Sequence, residues 1–171
     1  MLIRVAVLVI ALALASQLPA GIIFQENFDA QNGGVPQLAL TSLTGWTITT
    51  STPGVLNPNV DLIGAGSPVD PYPGRGLYLD MEGSQYDSNA PIGLNAKITT
   101  NQIFAPGHYA LWFFLGNNAD IWFPECTTCG QNNTLTVMLG DFTSGPIPAT
   151  TPGQTIYLVF TTTVPGALSF E

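Results

Sequence analysis

Residues Val60–Ser84 read VDLIGAGSPVDPYPGRGLYLDMEGS. Two short apolar runs, Val60–Ile63 and Gly76–Glu82, flank a loop dense in proline and glycine. Runs of β-branched and aromatic residues separated by such turn chemistry predict two strands, with the chain reversing between them. The second run carries Asp80 and Glu82 at alternate positions. In a strand, residues two apart project from one face, so these carboxylates are expected to converge.

The same signals recur on both sides of this stretch. Ile22–Phe28, Trp46–Thr50, Thr134–Leu139 and Thr155–Val164 read as strands, with weaker candidates at Gly93–Thr99 and Gln102–Ala105. His108–Leu115 (HYALWFFL) is the most apolar, with Tyr109, Leu111, Phe113 and Leu115 on one face and Trp112 and Phe114 on the other. A strand apolar on both faces is expected to be central and covered on both sides, which would bury Trp112 as well as Trp46. No window shows a 3.6-residue apolar period long enough for a helix, and Pro-Gly pairs punctuate the chain at 53, 73, 106, 152 and 165. The expected fold is all-β, an antiparallel sandwich or jelly roll in a single domain. The closing residues, Ala167–Glu171, read as the start of a strand with no turn or partner after it. The domain is therefore expected to lack its last strand and to leave an open edge.

Residues 1–20 are set apart from the fold. Arg4 precedes an apolar run, Val5–Ala15, and small residues at Ala13 and Ala15 offer a cleavage site, with a second after Ala20. This is the pattern of a secretory signal peptide, and the run falls short of the roughly 20 apolar residues that span a bilayer. Export follows as the expectation, with 21–171 as one secreted domain and no later membrane span. Beyond the leader the only basic side chains are Arg75 and Lys97, against eleven carboxylates. That balance excludes nucleic acid, whose phosphates require clustered Lys and Arg. Cys126 and Cys129 stand close together in PECTTCGQNN. In an oxidising compartment they read first as a local disulfide, with free thiols or a metal or redox role as alternatives.

Catalytic chemistry has little to draw on. The one histidine, His108, follows Pro106-Gly107 with no Ser or Cys motif beside it, and reads as a turn residue. Asp80 and Glu82 would have to serve as paired carboxylates in a carbohydrate-active enzyme, and an acidic chain offers many pairs at such separations. Sugar recognition would use aromatic platforms instead. Tyr72 and Tyr86 in loops and Trp122 before the cysteine pair are the expected ligand-binding residues.

Taken in order, GWTIT, VDLIGAG, DPYPGRGLYLDMEGS, FAPGHYALWFFLGNN, TLTVMLGDF and ALSFE resemble secreted bacterial proteins with a galactose-binding-like jelly-roll domain. Many of these carry a PEP-CTERM sorting signal read by an exosortase. The likeness runs from about Phe24 to Glu171, but lacks the sorting signal and a last strand, and the cysteine loop resembles an insertion. The resemblance implies a structural Ca²⁺ near the first strand, held by Glu26 and Asp29 together with Asp80 or Glu82. It also implies a non-catalytic cell-surface domain contacting extracellular polysaccharide or surface proteins. The alternative is a structural subunit that self-associates through the open edge.

Overall fold

A computed structural model describes residues 21–51, 57–68, 70–83, 96–117 and 133–171. The expected leader lies outside them, as do Tyr86, Trp122, Cys126 and Cys129. The described chain is all-β. Its strands are β1 (Gln37–Leu40), β2 (Trp46–Thr50), β3 (Val60–Gly64), β4 (Leu77–Asp80), β5 (Ala96–Phe104), β6 (Gly107–Leu115), β7 (Thr134–Leu139), β8 (Phe142–Pro148), β9 (Gln154–Thr162) and β10 (Gly166–Phe170). Every pairing between them is antiparallel. A 3-10 turn at Gln31–Gly34 is the one helical element among the described residues, and no described helix is long and apolar enough to cross a membrane.

The strands form a five-stranded sheet in the order β2-β5-β10-β7-β8, a three-stranded sheet β1-β3-β4 and a two-stranded sheet β6-β9. Alternation decides how they stack. Leu40, Val60, Leu62 and Leu77 of the three-stranded sheet meet Trp46, Ala96 and Ile98 of the large one. Leu111, Phe113, Leu158 and Phe160 of the two-stranded sheet meet Phe104, Val137, Leu139 and Leu168. The two smaller sheets thus cover one face of the large sheet, and the molecule is a β-sandwich. Phe170 joins the two halves of the core, its ring 6.2 Å from Trp46 and 5.4 Å from Phe113. Leu62, Val60 and Val137 are fully buried, each worth about 1.5–3 kcal/mol of transfer free energy.

Several expected boundaries shift for local reasons. The described part of the Gly93–Thr99 candidate, from Ala96 on, and the Gln102–Ala105 candidate form one strand, β5, because its register against β10 slips between Ala167 and Ser169 without ending the ladder. At the slip the buried Thr100 hydroxyl donates to Gln102 O at 2.9 Å and accepts the Leu168 N–H at 3.0 Å, so the displaced amide keeps a partner. Ile22–Phe28 is not a strand: Phe28 turns the chain at φ 62°, and Phe24 plugs the core edge-on between Trp46 and Phe104. Gly166–Phe170 is paired on both sides, by β5 and β7, and so is not an open edge. The edges of its sheet are β2 and β8. β8 carries Pro146 and Pro148, residues suited to an edge.

Within the β7–β8 turn, Asp141 clamps the end of β9. Its carboxylate accepts from Thr162 Oγ1 at 2.7 Å, Thr163 N at 2.8 Å and Thr163 Oγ1 at 2.5 Å. These bonds to the charged form hold its carboxyl well below the usual range.

Candidate functional site

β4 ends at Asp80, and the strand alternation that would have aligned Asp80 with Glu82 ends with it. Asp80 Oδ1 instead accepts the Glu82 N–H at 3.0 Å, a local turn that competes with the ladder. Glu82 reaches away to Asn133, whose Nδ2 donates to its Oε1 at 3.1 Å. Asp80 lies opposite Asp61 on β3. Asp61 is 5% exposed and accepts the Ala39 N–H at 2.6 Å.

The other two expected metal ligands also have framework roles. Glu26 accepts from Phe28 N at 2.7 Å and from Gln31 Nε2 at 3.1 Å, bracing the turn at Gln31–Gly34. Asp29 Oδ1 accepts the Leu77 N–H at 2.8 Å and so fixes the start of β4. A side chain at Gly76 (φ 75°) would put its Cβ 2.2 Å from that oxygen, so the approach requires glycine. Among the described residues no three acidic, histidine or cysteine side chains gather as a metal-holding group.

Tyr72 is a packing residue. Its hydroxyl donates to Asn117 O at 2.6 Å, and its ring packs edge-on against Phe114 at 5.1 Å and against Tyr78 at 6.0 Å. Tyr78 donates to Asp70 Oδ1 at 2.8 Å and accepts the Tyr72 N–H. Desolvation raises both phenols, and for Tyr78 the bond to Asp70 pushes the same way. Gly116 makes room for this ring cluster, since a Cβ there would fall 2.3 Å from Tyr72.

The exposed aromatics lie elsewhere, and this corrects the expectation for Trp112. β6 pairs with β9 over Gly107–Leu115, and among the described residues with no other strand. Its odd-numbered side chains enter the core, while His108, Ala110, Trp112 and Phe114 face outward beside Thr161, Val159, Tyr157 and Thr155. Trp112 is 57% exposed, its cross-strand partner Tyr157 64% and Val159 70%. Direct cross-strand partners have Cβ atoms about 5 Å apart, so the indole and phenol rise side by side. His108 Nδ1 shares a 2.8 Å hydrogen bond with Thr161 Oγ1 at one end of the face. At the other end the Arg75 guanidinium lies 3.6 Å over the centroid of the Phe114 ring.

The sequence held a partial signal for this face. Trp112 and Phe114 alternate with core positions, and Tyr157 and Val159 do the same in Thr155–Val164. Only the missing cover turns those second faces into surface. Comparison with protein-family models, with characterised proteins and with solved structures finds no match.

Proposed function

We infer that this protein is a non-catalytic extracellular or cell-surface domain that binds glycan through the outer face of β6 and β9. One observation carries the reading: Trp112 and Tyr157 stand together on a regular sheet face at 57% and 64% exposure. Exposed aromatics at this density are rare on a surface that has no partner. The apolar faces of sugar rings stack on such side chains, while the hydroxyls at the ring edges need hydrogen-bonding groups nearby. Thr155, Thr161 and His108 supply them along the same two strands. The expected secretory leader and the resemblance to galactose-binding-like, exosortase-sorted proteins support a polysaccharide-rich setting for the domain. This reading does not depend on Ca²⁺, whose candidate ligands Glu26, Asp29, Asp80 and Glu82 each accept a hydrogen bond within the domain.

Trp112→Ala and Tyr157→Ala test the assignment against an array of immobilised polysaccharides. The wild type is expected to retain at least one polymer, and each variant to lose it while keeping the wild-type melting temperature. Retention undiminished in both variants would refute the assignment.

Val159, 70% exposed between Tyr157 and Thr161, favours a second reading in which the same face buries itself against another copy of the chain. Sedimentation velocity separates the two. Concentration-dependent dimers that dissolve in Val159→Lys would support self-association, and a monomer at all concentrations would remove it.

A further inference from the structure

The geometry points to a carboxylate-bearing sugar as the ligand of this face, with Arg75 as the residue that recognises the carboxylate. The inference rests on the glycan reading above and deepens it. Arg75 is exposed in the loop between β3 and β4, and its guanidinium covers the Phe114 ring at 3.6 Å. Among the described residues the one ion pair joins Lys97 to Glu171 at 3.4 Å, so no described carboxylate neutralises Arg75.

At 3.6 Å over an aromatic ring the guanidinium is held in place by a partner that takes up none of its N–H donors as a carboxylate would. That arrangement suits bidentate capture of a carboxylate. The ring beneath is itself held firmly: Tyr72 packs against it edge-on, and Phe114 Cζ fills space that a Cβ at Gly153 would enter at 2.2 Å. Phe114 lies two residues along β6 from Trp112 and on the same side. The repeat of about 7 Å between such positions is on the scale of one sugar ring. A ring stacked at Trp112 and Tyr157 would thus bring a substituent, or the next sugar, to Arg75. The formal charge of −8 argues against a dense polyanion. It leaves a largely neutral glycan with interspersed uronates as the class that fits.

The test compares glucuronoxylan, alginate and polygalacturonate with the same polymers after reduction of their carboxyls to alcohols. Neutral cellulose and galactan and the non-sugar polyanion polyglutamate complete the set. At least one uronate polymer is expected to bind more tightly than its reduced form, with glucuronoxylan favoured over the denser polyanions. Arg75→Gln should weaken that acidic form about tenfold or more, the scale of a hydrogen-bonded charge pair. It should leave the reduced form unchanged, and Arg75→Lys should fall between. Equal binding of acidic and reduced forms, or an Arg75→Gln variant that behaves as wild type, overturns the role of Arg75 and leaves the glycan reading standing. Polyglutamate binding as tightly as the uronates would mean an anion site without sugar recognition, and overturns the proposal. If none of the sugars binds, the glycan reading falls with it.

Discussion

The outer faces of β3–β4 and of β6–β9 belong to the same layer of the sandwich, yet they are finished in opposite ways. On β3–β4 the outward positions are Asp61 beside Asp80 and Ile63 beside Tyr78, with Asp61 and Ile63 buried. Asp61 is tied to Ala39 of β1 and Tyr78 to Asp70 in the β3–β4 loop. On β6–β9 the outward positions include Trp112, Tyr157 and Val159, all open. The carboxylate is inside and the indole outside, the reverse of their ordinary preferences. A buried carboxylate persists where it satisfies backbone, and an open aromatic pair is retained at a cost in solubility. The first face is therefore framework, and the second is available to a partner.

Substitutions can break this contrast, and the largest effect should come from the core beneath the framework face. Leu62 is fully buried in the first core cluster. Leu62→Ala should cost about 2–5 kcal/mol in urea unfolding, as such cavities do. A loss under about 1 kcal/mol would mean that this half is loosely packed and the contrast misdrawn.

Next in size is Asp61→Ala, which leaves the Ala39 amide without its acceptor. About 1–3 kcal/mol is expected, with Asp61→Asn losing less because an amide oxygen still accepts. Chemical denaturation of both variants checks the order, and equal losses would show that charge and not hydrogen bonding holds the site.

The third probe is alkaline pH. Tyr72 and Tyr78 both have raised phenol pKa values when folded, so folding favours their protonated forms. That contribution is complete below about pH 10, the unfolded value, and is lost as pH rises beyond it towards the folded one. Stability measured from pH 9 to 12 should fall, and Tyr78→Phe should flatten the decline. An unchanged slope would detach Tyr78 from the framework.

The smallest effects on stability should come from the open face. Val159→Ala and Trp112→Ala are expected to stay within about 0.5 kcal/mol of wild type. A clear loss from either would show that the face is structurally committed, and the contrast would disappear.

Much of the framework was legible in the sequence. WTITT, TLTVML and the two runs flanking the Pro/Gly loop alternate cleanly, and each is a strand within a residue or two of its expected bounds. β8 was hidden by Gly145, Pro146 and Pro148, which read as breakers and are tolerated because the strand is an edge. β1 was hidden because Ala39 sits at φ 55° with its amide turned to a side chain 22 residues later. The site was less legible. HYALWFFL is apolar on both faces, and periodicity reports which residues share a face without reporting what covers it. Trp112 accordingly reads as core, and Tyr72, which packs against Phe114, reads as a ligand platform because it falls in a loop. Asp80 and Glu82 were aligned on paper by a strand that their own hydrogen bond brings to an end.

The placement of β10 bears on how the molecule assembles. It fills the gap between β5 and β7, pairing Ile98 with Phe170 and Leu139 with Leu168, and it follows both neighbours in the chain. As the chain emerges, those two strands each carry an unpaired row of amides and carbonyls until residues 166–170 arrive. The large sheet is thus completed last and from within, by contacts distant in sequence, which slows folding and leaves sticky edges exposed meanwhile. A polypeptide that assembles in this order benefits from being kept unfolded until those residues are available.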